Sequence, residues 1–124
     1  MEQRLTRERA SSWSWILQAL TGLLVIVLLG LHMVVQHFVV QGGLRTYNDV
    51  VAYIRTPFFL GWEVVFLVIV TWHALLGVRA ILLDLGLGQA VERGLNWVLT
   101  VIGVGTVAYG LWLTVTIISR GTNA

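Results

Sequence analysis

Residues 15–40, WILQALTGLLVIVLLGLHMVVQHFVV, decide the fold, because this run contains no Arg, Lys, Asp or Glu. Two more largely apolar runs follow at residues 58–83 and 95–119. Each run is longer than the ~20 residues that a helix needs to cross a bilayer. Strands of a membrane barrel would alternate between apolar and polar residues, and these runs do not. The sequence therefore predicts an all-α integral membrane protein with three transmembrane helices in a single domain, residues 1–124.

The composition supports this class. Of the 124 residues, 57% are hydrophobic and 11% are charged, which is more apolar surface than a soluble domain of this size can bury. The eight basic residues are all arginines spread over the ends and loops, which indicates membrane topology rather than a nucleic-acid surface. With no cysteine, the chain alone holds no disulfide and no iron–sulfur cluster. The first apolar run is too long for a removable signal peptide.

The distribution of arginines predicts the orientation. The positive-inside rule favours a cytoplasmic N-terminus, because more arginines fall on that side. The expected cytoplasmic residues are Arg4, Arg7, Arg9, Arg79 and Arg93, and the expected outer ones are Arg45, Arg55 and Arg120. On the outer side, Val50, Val51 and Ile54 recur at helical spacing, so a short interfacial helix is expected at about residues 44–55.

The second apolar run carries polar residues on one helical face. Relative to His73, Gly77 lies about 40° round the helix, Ala80 about 20° the other way and Asp84 about 20° away. The two small residues predict a shallow trough beside the imidazole, in which a flat group would fit.

The first apolar run has a polar stripe of its own. Gln18, Thr21, His32 and Gln36 fall within about 40° of one line, whereas His37 points about 140° away from His32. An imidazole in hydrocarbon is a candidate functional group. It would serve as a metal or haem ligand, as part of a proton relay, or as an interhelical hydrogen bond.

The residues leave these uses open, although a relay has little support. The carboxylates near the spans, Glu63 and Asp84, both lie close to span ends. Haem needs an imidazole ligand, space for the porphyrin, and polar or cationic groups for its propionates. Arg79 lies near the cytoplasmic boundary, where it would snorkel to the membrane surface or meet a propionate.

The segment from His73 to Asp84, HALLGVRAILLD, resembles the H-x3-G-x-R-x4-D signature in the second transmembrane helix of the small membrane-anchor subunits of succinate dehydrogenase (complex II). Length and span number also resemble that family. Its C-type anchor has Ser-x3-Arg near the first helix, where this chain has Ser14 and Gln18, so the resemblance favours the D-type anchor. A tyrosine that contacts quinone in some D-type anchors is replaced here by Leu85.

The resemblance implies half of a complex II-type helical anchor bundle in the cytoplasmic membrane of a prokaryote. His73 would be an axial ligand of haem b, with the second ligand from a C-type anchor subunit. His32 is the candidate ligand of a second haem, and His37 is the alternative candidate. We expect Arg79 and Asp84 to organise the propionate or quinone end of the site.

The function implied is electron transfer. A flavoprotein subunit would oxidise succinate, and an iron–sulfur subunit would pass the electrons to menaquinone or ubiquinone beside this chain. The alternatives are a haem b anchor of a fumarate reductase or another membrane oxidoreductase, and a non-redox helper or transporter subunit in which the histidines join helices. Because the three helices alone would leave these polar groups without partners in the membrane, we expect the functional form to be a complex of several subunits.

Overall fold

The computed structural model describes residues 2–39, 42–43 and 46–120, with the backbone alone for residues 2–11. This part of the chain contains no strand. Three of its helices are long and apolar enough to cross a membrane, which confirms the predicted all-α, three-span fold. The helices are α1 (Glu2–Val34), which runs into a π-helical turn (Val35–Val39), α2 (Tyr47–Arg55), α3 (Pro57–Leu83) and α4 (Gln89–Arg120).

The helices α1 and α4 extend beyond the apolar runs. Both begin earlier than the predicted starts at residues 15 and 95, at Glu2 and Gln89. Helical hydrogen bonding does not require an apolar side chain, so hydropathy marks the membrane-crossing part and not the whole helix. The helix expected at residues 44–55 corresponds to α2; Arg45 and residues 40 and 44 lie outside the described residues.

Local sequence signals define the helix ends. Thr46 caps α2, because its hydroxyl accepts from the backbone N–H of Asp49 at 3.2 Å while the Asp49 carboxylate accepts from the Thr46 N–H at 2.9 Å. Pro57 opens α3 at the first helical position, where its missing N–H costs no hydrogen bond. After α3, Gly86 adopts a φ of 70°, a left-handed conformation that ends the helix.

The three spans lie in an open row with α3 in the middle. α1 packs against one side of α3 and α4 against another, and the described residues show no contact between α1 and α4. α2 packs on α3 and α4 at the end where α1 finishes. The buried apolar residues among those described are few: Leu28, Val51, Tyr53 and Leu99. Most apolar side chains therefore face outward, as suits a chain surrounded by lipid and other helices.

Candidate functional site

The imidazole of His73 joins α3 to α1 in the half of the membrane nearer the N-terminus. Its Nδ1 lies 3.1 Å from the hydroxyl of Thr21. The same hydroxyl is 2.6 Å from the carbonyl oxygen of Leu17 and 3.2 Å from that of Gln18. The polar stripe expected on the first helix thus reaches the polar face of the second.

These distances favour one tautomer of His73. The Thr21 hydroxyl has one hydrogen, and the shortest contact directs it to the Leu17 carbonyl. In a neutral imidazole, this oxygen accepts from Nδ1–H of His73, and the lone pair is then on Nε2. No described residue hydrogen-bonds to Nε2. An imidazole whose Nδ1–H is held by a second group is the arrangement in which histidine binds a metal through Nε2.

Two glycines set the space around this imidazole. A Cβ on Gly22 would lie 3.0 Å from Cε1 of His73, so the ring lies directly against the α1 backbone. A Cβ on Gly77 would lie 3.1 Å from Nε2 of Gln18. The trough expected along α3 is therefore not open at Gly77, because the antiparallel register places the Gln18 amide there. The Oε1 of Gln18 is buried, and no described residue hydrogen-bonds to it.

A second polar cluster joins the same two helices toward the other membrane face. Nδ1 of His32 lies 2.9 Å from Oε1 of Glu63, and their side chains are 20% and 23% exposed. The ring of His32 also packs against Phe66, with centroids 5.0 Å apart. As with His73, Nδ1 is held and no described residue bonds to Nε2.

Tyr53 ties α2 to this cluster. Its hydroxyl donates to Oε1 of Glu63 at 2.7 Å. The amide of Gln36 lies 3.4 Å from the same oxygen and 3.3 Å from Nδ1 of His32. Since Nδ1 cannot both donate to Glu63 and accept from Gln36, the amide is better assigned as a donor to Glu63. Burial, followed by the hydrogen bond to Glu63 and its charge, raises the pKa of Tyr53 above its ordinary value of 10.0.

The other expected site residues lie apart from these clusters. Nε of Arg79 donates to Oδ1 of Asn96 on α4 at 2.7 Å, and Arg79 lies about 120° round α3 from His73. Asp84 is the exposed C-cap of α3, and His37 is exposed in the π-helical turn. His32 and His73 are not brought together, because their contacts on α1 are about 15 Å apart along the helix.

Sequence reasoning missed Tyr53, Gly22 and Asn96, and it set Glu63 aside for lying near a span end. A signal for Glu63 was present in the spacing. Ten residues separate Gly22 from His32 on α1, and ten separate Glu63 from His73 on α3. In an antiparallel pair, a contact between Gly22 and His73 therefore brings His32 level with Glu63.

Comparison with known proteins places these features in a family. A model of the family "Succinate dehydrogenase/Fumarate reductase transmembrane subunit" matches residues 2–115. A protein of Archaeoglobus fulgidus named "Succinate dehydrogenase hydrophobic membrane anchor subunit" is 35% identical over 100 residues, which cover 81% of this chain and 85% of that protein. A protein of the same name from Thermoplasma acidophilum is 30% identical over 93 residues, or 75% and 76% of the two chains. The "Succinate dehydrogenase 2 membrane subunit SdhC" of Mycobacterium tuberculosis is 30% identical over 96 residues, or 77% and 70%.

Proposed function

Since this chain belongs to the succinate dehydrogenase/fumarate reductase transmembrane subunit family and is a succinate dehydrogenase membrane anchor, we propose that it binds haem b through His73 and borders the quinone site of its complex. Its partners would be a flavoprotein subunit, an iron–sulfur subunit and a second, C-type anchor. It would be the D-type anchor of a prokaryotic cytoplasmic membrane, with its N-terminus in the cytoplasm.

The observation that carries the haem proposal is the geometry of His73. Thr21 holds Nδ1 at 3.1 Å, which leaves the Nε2 lone pair for iron. Gly22 keeps the ring against α1, because any side chain there would meet Cε1. When bound, haem would supply a one-electron carrier near the quinone. The residues of this chain would orient the ligand and fix its tautomer.

The remaining site residues receive separate roles. Nδ1 of His32 is held by Glu63, an arrangement that supports His32 as the ligand of a second haem. Asp84, exposed at the end of α3, is proposed to border the quinone site. Arg79 faces α4, so the haem proposal does not depend on it.

A difference spectrum of the purified complex tests these assignments. We expect a sharp b-type α-band on dithionite reduction, which His73→Ala removes or weakens at unchanged flavin content. His37→Ala tests the alternative ligand: because His37 is exposed and has no described partner, its spectrum should equal that of the unaltered complex, and a lost band would assign the second haem to His37 instead of His32. If two haems are present, His32→Ala should remove about half of the amplitude of the unaltered complex. A flat spectrum from a fully assembled complex would refute haem binding.

A non-redox role has one observation in its favour. Both imidazoles already make interhelical contacts, to Thr21 and to Glu63, which is how histidine stabilises membrane helix pairs. The same experiment separates the two functions. If the histidines only join helices, His73→Ala lowers the thermal stability of the complex and no α-band is present in any variant.

A further inference from the structure

An apolar groove runs between α3 and α4, on a side of α3 that no histidine faces. Its volume is about 650 Å³, within the range of sites that enclose one small-molecule ligand. The two groups that carry a charge or an amide, Arg79 and Asn96, lie together at one end of the groove. The rest of the lining is mostly apolar and continues past Ala108 to Leu111. The groove therefore has one polar end and is mostly apolar over the rest of its length.

The polar end presents an oriented cation. Nε of Arg79 donates to Asn96, and this bond fixes the guanidinium plane and leaves its two terminal amino groups for an acceptor. Among the side chains described, no carboxylate forms an ion pair with Arg79. A bidentate guanidinium without an anion near a membrane boundary matches the geometry of a phosphate.

The groove is long enough to cross one whole leaflet and extends beyond it. Arg79 lies four residues before the end of α3 at Leu83, at the boundary of the span. Asn96 and Leu111 are about 22 Å apart along α4, whereas half of the hydrocarbon core is about 15 Å thick. An occupant with an anionic head at Arg79 would thus have its hydrocarbon chain within the groove down to the membrane centre.

A helix from another subunit is a poorer occupant. Membrane helices approach one another at small residues, and the glycines of α4 that face α3 already serve its own packing. Cβ atoms on Gly103 and Gly110 would lie 2.5 Å from Leu75 and 2.6 Å from Leu67. An apolar helix would also leave the cation of Arg79 without a counter-charge in a region of low dielectric.

We propose that this groove binds one anionic phospholipid, with its phosphate on the terminal amino groups of Arg79 and an acyl chain along the groove between α3 and α4. The site is separate from His73 and does not depend on the proposed haem.

Lipid retention by the assembled complex tests the proposal. The complex is purified with the full-length chain, exchanged into detergent containing either phosphatidylglycerol or phosphatidylcholine, and analysed by native mass spectrometry. We expect one phosphatidylglycerol per chain to be retained and phosphatidylcholine to be lost. Arg79→Gln should weaken retention about fivefold, which is the factor by which one arginine strengthens binding to an anionic membrane surface. Arg79→Lys should restore part of the retention. Arg55→Gln, at the exposed end of α2, is the matched control and should bind as the unaltered chain does.

A second pair of variants tests the apolar part of the groove. Ala108→Phe places a ring inside the groove and should reduce retention, whereas Thr106→Phe, on an exposed position outside the lining, should not. Equal retention of phosphatidylcholine, or unaltered retention by Arg79→Gln, would overturn the proposal. Displacement of the lipid by a neutral quinone at equal concentration would also overturn it, because the charge of Arg79 would then not select the occupant.

Discussion

Gly22→Ala tests whether the close approach of α1 to the imidazole governs the site. The new Cβ would lie 3.0 Å from Cε1 of His73, where ordinary contacts are 3.4–4 Å. The ring must therefore move by a few tenths of an ångström, and it cannot do so freely because Thr21 holds Nδ1. We expect a displaced imidazole in an otherwise intact helix.

The size of the effect follows from two opposing terms. Overpacking of this kind costs about 1–3 kcal/mol. Replacing glycine by alanine within a helix returns about 1 kcal/mol. A net cost of up to about 2 kcal/mol at the ligand corresponds to haem affinity weakened by up to about thirtyfold. We therefore expect a lower haem-to-flavin ratio, or a shifted midpoint potential where haem is retained.

Gly30→Ala is the matched control, because a Cβ at Gly30 meets no atom within 4 Å. Both variants are measured in the assembled complex by haem-to-flavin ratio, reduced-minus-oxidised spectrum and redox titration. Gly30→Ala should behave as the unaltered complex. If Gly22→Ala matches it in haem content and potential, the contact between Gly22 and His73 does not govern the site and the reasoning fails.

Two further predictions concern helix packing. Because the pKa of Tyr53 is raised, its contribution to stability is complete below about pH 10 and is lost as the pH rises towards the raised value. Thermal stability should thus fall at alkaline pH, and Tyr53→Phe should flatten this fall; equal slopes would refute the linkage. Gly103→Val should destabilise the contact with Leu75 by about 1–3 kcal/mol in thermal unfolding of the complex. Gly105→Val, which meets no atom within 4 Å, should not, and equal losses would contradict the packing argument.

The sequence predicts the spans because their length and hydropathy are imposed by the bilayer and not by tertiary packing. The helical wheel also placed Thr21 on one polar face and His73 on another. A wheel describes one helix at a time, so it does not give the register between helices. That register explains why Gln18 fills the expected trough at Gly77, and why Glu63 meets His32 although it lies near a span end.

The role of Tyr53 could not be predicted from the sequence for a different reason. The amphipathic pattern of α2 predicts a helix at the membrane surface but not how deeply its aromatic ring enters the bundle. The structure buries Tyr53 to 6% exposure beside Glu63. Similarly, the bond from Arg79 to Asn96 depends on the approach of α4, which the residues around His73 do not encode.

The open row of spans has a consequence for the stability of the unassembled subunit in the cell. With α1 and α4 out of contact, each of them covers only part of α3, and the side chains of His32 and Glu63 stay 20% and 23% exposed in a copy without partner subunits. Polar groups that face hydrocarbon are costly, so a copy without its partner subunits is less stable than an assembled one and is more readily removed by cellular proteases. We therefore expect the abundance of this subunit to follow the synthesis of its assembly partners, so that an orphan copy is degraded before it accumulates.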